Sequence, residues 1–328
     1  GTGYNSTGAT EYQTVVMDAA ARYITVNSTG AKNSVDVSNN TAMTNLTITG
    51  SAALKASVAV ASLTSLDGSA ATGALTLGTL NAATRTVKGG AGNDSATLAA
   101  TATATVDTGA GNDTLTLGSA LAAGSTVTLG DGNDKLLSSS GSVAAGYNST
   151  TGITSTIDAG AGTDGVAASL IAAGNASLFK NFETLILDNT SGSVDASLLS
   201  GITGLELASA GGGTYTALTP AQSLLVSNVA ANTATTTLTF AASSVVGTAD
   251  AYAINFNAAT PTGTTAEPTS ANVLAATIAA AGVENITVDS SGAASGIDTY
   301  WTIILYTGAS ATPHLIGTSN SGTLTSTS

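Results

Sequence analysis

The segment that decides the fold is a fourfold repeat of one glycine–aspartate turn between residues 88 and 167. Its copies read Gly89-Gly90-Ala91-Gly92-Asn93-Asp94, Gly109-Ala110-Gly111-Asn112-Asp113, Gly130-Asp131-Gly132-Asn133-Asp134 and Gly160-Ala161-Gly162-Thr163-Asp164. The final aspartates of successive copies are 19, 21 and 30 residues apart. A coil made of two nine-residue halves repeats after about 18 residues, so these steps predict one such turn per coil in a stack of coils. The longest step leaves room for a loop at residues 138–151.

The rest of the chain alternates like short β-strands. Segments rich in Val, Ile, Leu and Thr recur about every 10–12 residues between Gly, Asn and Ser, the rhythm of solenoids, sandwiches and barrels. We therefore predict an all-β protein, a parallel β-roll or β-helix solenoid, in three approximate segments. Residues 1–85 and 168–328 are β-rich and flank the repeat at 86–167. The sequence leaves open whether these flanks continue one solenoid or form sandwiches.

Composition limits the partners and the chemistry. The chain has 328 residues, of which 20 are acidic and 7 basic, and its net charge is −13. Nucleic acids and anionic membranes require a basic patch, so we expect neither as a partner. There is no cysteine to form a disulfide, and no apolar run approaches the roughly 18–20 residues of a membrane span. The chain begins at Gly1, and we expect it to be an excised or processed piece of a longer protein.

The repeated turn has the residues that calcium binding requires. Gly-Gly-x-Gly-x-Asp-x-(apolar)-x is the nonapeptide of calcium-binding parallel β-rolls. Calcium accepts carboxylate and carbonyl oxygens in a shell of about 6–8 ligands, and glycines allow the backbone turns that aim carbonyls inward. An ordinary glycine turn with a capping aspartate would explain one copy but not four. A phosphate loop is excluded because no Walker-type lysine follows any copy.

On these residues the chain resembles the RTX (repeats-in-toxin) family of secreted Gram-negative proteins. Residues 89–97 match the full nonapeptide, whereas later copies replace its first glycine with Thr108, Leu129 and Ala159. The resemblance implies Ca²⁺ as the bound ion, with aspartate side chains and glycine carbonyls as ligands, and the third copy gains the carboxylate of Asp131. The implied ligands are Gly90, Gly92, Asp94, Gly109, Gly111, Asp113, Gly130, Asp131, Gly132, Asp134, Gly160, Gly162 and Asp164.

A second resemblance concerns the composition of the whole chain and one short motif. Its Thr-, Ala-, Ser-, Gly- and Val-rich composition, and the Phe-Glu-Thr-Leu motif at residues 182–185, resemble the RTX-type surface-layer (S-layer) proteins of Gram-negative bacteria. That resemblance implies a secreted structural protein, exported by type I secretion, that self-assembles with calcium into a lattice at the cell surface. The expected partners are further copies of the chain and a cell-surface polysaccharide contacted through a region outside this segment.

The sequence does not predict an enzyme. Its one histidine is His314, and there is no zinc motif, Gly-x-Ser-x-Gly elbow or cysteine nucleophile. Two alternatives to a lattice protein remain: a calcium-dependent adhesin or binding module, and the RTX portion of a secreted enzyme whose catalytic domain lies elsewhere.

Three further local features are predicted outside the repeat. Thr219 and Pro220 are suited to the start of a short helix over residues 219–225. Residues 275–281 are a second candidate for a short helix, and residues 263–270 are predicted to form an irregular loop.

Overall fold

The structure is a computed structural model, and it forms two compact units. Unit 1 contains residues 1–166 and 173–182, and unit 2 contains residues 167–172 and 183–328. The described residues are 13–14, 20–99, 102–139, 155–188, 192–208, 213–227, 235–246, 250–256, 277–281, 283, 285–289, 304–305, 314–315 and 323–327.

Unit 1 is built from short strands that alternate along the chain between two sheets. The strands of one sheet are β1 (Gln13–Thr14), β3 (Asn33–Asp36), β5 (Leu54–Ser57), β7 (Leu75–Leu80), β9 (Ser95–Leu98), β11 (Thr114–Leu117), β13 (Lys135–Ser138) and β15 (Gly165–Ala167). Those of the other are β2 (Tyr23–Asn27), β4 (Asn45–Gly50), β6 (Ser65–Ala71), β8 (Thr86–Lys88), β10 (Thr105–Asp107), β12 (Thr126–Asp131), β14 (Thr156–Ala161) and β16 (Phe179–Lys180).

Each strand of unit 1 pairs in parallel with the equivalent strand of the neighbouring coil. Thr86, Thr105 and Thr126 are in register across β8, β10 and β12. Since consecutive strands in sequence belong to different sheets, the chain winds as a β-solenoid. Strands β6 and β8 pair, as do β7 and β9, so residues before and after position 85 belong to one continuous stack.

The alternation of the sequence explains which side chains form the core of unit 1. In β10, Val106 is buried between the exposed Thr105 and Asp107, and in β11, Leu115 and Leu117 are buried while the intervening Thr116 is half-buried. Successive side chains of a strand point to opposite faces, so apolar residues at every second position line the interior of each coil. The core is therefore a stack of small aliphatic layers.

Unit 2 is also mostly parallel β-structure. One set of paired strands is β17 (Thr184–Ile186), β19 (Gly204–Leu207), β21 (Ser223–Val226), β23 (Ala251–Phe256), β25 (Asn285–Asp289) and β28 (Thr323–Thr327), with β28 antiparallel to β25. The other is β18 (Ser193–Asp195), β20 (Thr214–Leu218), β22 (Thr235–Phe240) and β24 (Thr277–Ala281). Strands β26 (Ile304–Leu305) and β27 (His314–Leu315) form an antiparallel pair.

Helical structure among the described residues is limited to three short 3₁₀ turns. These are η1 (Ala168–Leu170) and η3 (Ala196–Leu198) in unit 2 and η2 (Ala176–Leu178) in unit 1. Within the described part of the chain, no helix is long and apolar enough to cross a membrane. The all-β, parallel solenoid fold predicted from the sequence is confirmed.

Both predicted short helices are wrong. After Thr219 the chain makes a single turn, in which the Gln222 side chain accepts a hydrogen bond from the Thr219 N–H at 2.8 Å, and then enters β21. Residues 277–281 of the second candidate form β24, which pairs with β22. In each case parallel pairing with neighbouring coils outweighs a weak local helix preference. The loop predicted at 263–270, and residues 140–151 of the loop predicted at 138–151, lie outside the described residues.

Candidate metal centre

The glycine–aspartate turns of unit 1 stack directly on one another. Ser95, Thr114, Lys135 and Gly165, which follow the four aspartates, are in register across β9, β11, β13 and β15. The aspartates therefore form one column, with one member per coil. The spacing of 30 residues before Asp164 leaves this register unchanged, because the additional residues lie between β13 and β14.

Glycine is required in these turns because successive coils approach too closely for a side chain. Gly130 has φ +106°, and a Cβ there would collide with the carbonyl oxygen of Gly109 in the preceding coil. Gly162 has φ +152°, and a Cβ there would collide with the Gly132 carbonyl oxygen. L-residues rarely adopt such φ values, so both local conformation and stacking select glycine. Further glycines with positive φ in these turns are Gly109, Gly111, Gly132 and Gly160.

The aspartate side chains join consecutive coils by hydrogen bonds. The backbone N–H of Asp94 donates to Oδ1 of Asp113, that of Asp113 donates to Oδ1 of Asp134, and that of Asp134 donates to Oδ1 of Asp164, each at 2.7 Å. All four aspartates are buried, with exposed fractions of 6% for Asp94 and at most 1% for the others. The structure therefore brings Asp94, Asp113, Asp134 and Asp164 into one buried row.

Two carboxylates in this row have an oxygen that the protein does not satisfy. Oδ2 of Asp113 and Oδ2 of Asp134 are buried and have no hydrogen-bond partner. A buried carboxylate oxygen without a partner is unfavourable, because the group loses its hydration and gains nothing in exchange. A cation between the coils would supply the missing interaction.

Burial also shifts the acidity of the row. It raises the pKa of Asp113 to about 7, opposed by the hydrogen bond from the Asp94 N–H and by the nearby Thr108 hydroxyl, and reinforced by the charges of Asp94 and Asp134. The Thr108 hydroxyl donates its own hydrogen to the Leu129 carbonyl, so it leaves Oδ2 of Asp113 without a donor. Burial likewise raises the pKa of Asp94 and of Asp134. The protein alone therefore disfavours several adjacent negative charges in this row, which is the electrostatic condition under which a bound cation stabilises the fold.

Asp131 lies apart from the row of buried aspartates. Its side chain is exposed, while its carbonyl oxygen accepts a hydrogen bond from the Gly111 N–H at 2.8 Å. Its charge contributes to raising the pKa of Asp134. The third copy thus gains a nearby negative charge without adding a buried carboxylate to the column.

The glycine carbonyls that the RTX resemblance implies as ligands also connect the coils. The Gly90 carbonyl accepts the Ala110 N–H at 2.9 Å, and the Gly109 carbonyl accepts the Asp131 N–H at 3.0 Å. Those of Gly111 and Gly132 face the glycines of the following coil. A carbonyl oxygen has two lone pairs, so one hydrogen bond does not prevent it from also binding a cation.

A calcium site here would depend on backbone oxygens. Among the described residues, no group of three His, Cys, Asp or Glu side chains is arranged to hold a metal ion. The residues fit calcium through the unpartnered oxygens of Asp113 and Asp134 together with neighbouring carbonyls, a mixed shell that calcium accepts.

A second ladder beside the aspartates was not anticipated from the sequence. The Asn93 side-chain oxygen accepts the Asn112 N–H at 2.9 Å, Asn112 accepts the Asn133 N–H at 2.8 Å, and Asn133 accepts the Thr163 N–H at 2.9 Å. The signal was the asparagine immediately before three of the four aspartates. These bonds run towards the next coil, whereas the aspartates accept from the preceding one, so the two ladders link each coil in opposite directions.

Comparison with known proteins gives no match to this chain: no family model, curated protein or solved structure matches it significantly. The likeness to RTX proteins therefore rests on the turn motif and on composition.

Proposed function

We propose that the chain is a structural protein of a bacterial surface layer whose folding and self-assembly depend on calcium. The observation that carries the proposal is the pair of buried, unpartnered carboxylate oxygens of Asp113 and Asp134 in consecutive coils. Asp113 and Asp134 would hold calcium together with backbone carbonyls of the glycine turns. A calcium ion bound there would supply positive charge between the coils and would take part in no reaction.

Calcium binding at this position would be coupled to folding. The row exists only when the coils are stacked, so an ion that binds the stacked state stabilises it by mass action. Without the ion, adjacent buried carboxylates oppose stacking. Weak sites, with dissociation constants of roughly 10⁻⁴–10⁻³ M as in extracellular modules, would suffice outside a cell.

The surface-layer role is supported by the repetitive architecture and by the resemblance in composition. In a solenoid each coil contacts mainly its neighbours, which gives an extended scaffold with repeated outer faces and no requirement for a catalytic centre. The expected partners are copies of the same chain, and the expected location is the bacterial cell surface after secretion.

The test separates calcium binding from lattice formation. Protein treated with a chelator is titrated with calcium, and with magnesium as the control, while β-structure and the thermal midpoint are followed by circular dichroism. We expect calcium to raise the midpoint far more than magnesium; an unchanged melt would refute calcium-dependent folding. Electron microscopy of the calcium-bound protein should show ordered sheets. Binding of glycans by calcium-loaded monomers that form no sheets would instead support an adhesin.

A further inference from the structure

The column that contains the aspartates holds Asn33 and then two leucines in the coils before Asp94. Leu54 and Leu75 are in register as the first residues of β5 and β7, and the Leu75 N–H donates to Oδ1 of Asp94 at 2.7 Å. Both leucines are buried. Asp94 is therefore the first aspartate of the row and the only one whose carboxylate meets a leucine-filled coil.

The Asp94 carboxylate is satisfied by the protein itself. Its Oδ1 accepts the Leu75 N–H, and its Oδ2 accepts the Gly90 N–H of its own turn, each at 2.7 Å. Asp113 and Asp134 also use Oδ1 for the preceding coil, but their Oδ2 atoms have no partner. A cation at Oδ2 of Asp94 would have to share that oxygen with the Gly90 N–H, whose positive end repels it, whereas Oδ2 of Asp113 and Asp134 faces no donor.

The backbone of the first turn explains this difference. Gly109 and Gly130 have φ of +99° and +106°, whereas the equivalent Gly90 does not adopt a left-handed φ. In that conformation the Gly90 N–H reaches the carboxylate of its own turn.

Gly89 leaves the space that the Asp94 carboxylate occupies in the first turn. A Cβ at Gly89 would lie 2.6 Å from Oδ2 of Asp94 and would also collide with the Thr108 carbonyl. The later copies carry Thr108, Leu129 and Ala159 at this position. The first copy, which matches the nonapeptide best, has a glycine at this position. The absence of a side chain there leaves space for the Asp94 carboxylate to accept the Gly90 N–H.

We infer that Asp94 is a positioning residue that joins the leucine-filled coils to the aspartate row, and that the cation-binding row begins at Asp113. This inference rests on the proposed calcium binding. The coils before Asp94 then fold without the ion. Asp94 is the last hydrogen-bonded residue at the edge of these coils, and the calcium-dependent coils stack on that edge.

The test compares the same substitution at two positions of the column. Asp94→Asn keeps an acceptor for the Leu75 N–H but places an amide donor against the Gly90 N–H. Asp113→Asn keeps the acceptor for the Asp94 N–H and replaces the unpartnered, charged Oδ2 with a neutral amide group. Asp94→Leu, which continues the leucines of the column, is a second variant if Asp94→Asn fails to fold. Calcium affinity and stoichiometry are measured by titration calorimetry, and thermal midpoints are measured in calcium and in chelator.

We expect Asp94→Asn to keep the native calcium affinity and stoichiometry and to lower the midpoint equally in calcium and in chelator. We expect Asp113→Asn to bind calcium about tenfold or more weakly, with the midpoint in chelator unchanged or raised. Equal weakening of calcium binding by the two variants would overturn the inference while leaving the proposed function intact. Wild-type protein that binds no calcium would refute the proposed function and the cation row with it. In that case a midpoint in chelator that is lowered by Asp94→Asn and not by Asp113→Asn would still support the junction at Asp94, and equal shifts would overturn it.

Discussion

Two regions of unit 1 share one backbone plan but place different chemistry in the same column. In the coils of β5 and β7 the column holds Leu54 and Leu75, and in the following coils it holds the aspartates. Burial of a leucine stabilises its coil without any ligand, by about 1.5–3 kcal/mol. Burial of a carboxylate does so only when every oxygen is satisfied. The solenoid therefore passes from self-sufficient coils to coils whose stability depends on a cation.

The hydrogen bonds of the backbone differ in the same way. The Leu54 N–H donates to the Ala74 carbonyl at 2.8 Å, so both partners of this hydrogen bond are backbone groups. The equivalent N–H groups of Asp94 and Asp113 donate instead to the carboxylate of the next aspartate. In the aspartate coils the side chain has replaced a backbone acceptor, which makes stacking sensitive to the charge state of that side chain.

Placing an aspartate in the leucine region should give the largest loss of folding stability. Leu75→Asp removes a fully buried leucine and introduces a carboxylate where the Leu54 N–H already bonds the Ala74 carbonyl. Loss of a buried leucine alone costs about 2–5 kcal/mol, and the unsatisfied charge should raise that cost. Urea denaturation in excess calcium measures it, with Leu75→Met, expected to cost less than about 1.5 kcal/mol, as the control. Similar stability of the two variants would show that this column accepts charge anywhere.

The second prediction concerns the close approach of the coils. Gly130→Ala places a Cβ against the Gly109 carbonyl at φ +106°, whereas Gly30→Ala places one in open space at φ +81°. Both variants should lose about 1–2 kcal/mol from the left-handed conformation. Gly130→Ala should lose a further 1–3 kcal/mol or so because the coils must move apart. Denaturant midpoints test the difference, and equal losses would contradict it.

The third prediction uses pH to separate the two regions. The raised pKa of Asp113, about 7 in the fold against an ordinary 3.8, means that the native state holds extra protons between these values. The contribution of Asp113 to stability in chelator is therefore fully present below about pH 4 and is lost as the pH rises through about 7. The thermal midpoint in chelator should fall between about pH 5 and 7 and level off above that.

The control for the pH experiment is Asp113→Asn, which should make this profile shallower, with the remaining slope due to Asp94 and Asp134, whose pKa values burial also raises. Hydrogen bonds from Ser38 and Ser69 lower the pKa of Asp36 and of Asp67, so those groups stay ionised throughout this window and do not contribute to the slope. A midpoint that rises with pH in the wild type would contradict the assigned burial of the row.

The smallest expected effect is in the asparagine ladder. Asn112→Ala removes the acceptor of the exposed Asn133 N–H bond, and water can replace it in part. The loss should be about 0.5–1.5 kcal/mol, with calcium affinity unchanged. Chemical denaturation with parallel calcium titration measures both quantities. A large loss of calcium affinity would show that this ladder belongs to the ion site.

Much of the fold could be predicted from the sequence because its signals are local. Alternation defines strands such as β11, and the spacing of Asp94, Asp113 and Asp134 predicts stacked coils. The short helix predicted after Thr219 was wrong because one capping interaction does not outweigh pairing with adjacent strands. The asparagine ladder was missed because its bonds connect residues 19 to 30 positions apart.

The sequence by itself determined the β-strands, the coiling of the repeat at 86–167 and the positions of its aspartates, because strand alternation and glycine turns are properties of short segments. It left open whether residues 1–85 continue the solenoid, which the pairing of β6 with β8 and of β7 with β9 decided. Only the tertiary structure decided that these aspartates continue a column of leucines and that the carboxylates are unequal. The oxygens of Asp94 are satisfied by Leu75 and Gly90, whereas Oδ2 of Asp113 has no partner. The physical reason is that hydrogen-bond satisfaction in a solenoid depends on the residue one coil away, which local sequence does not specify.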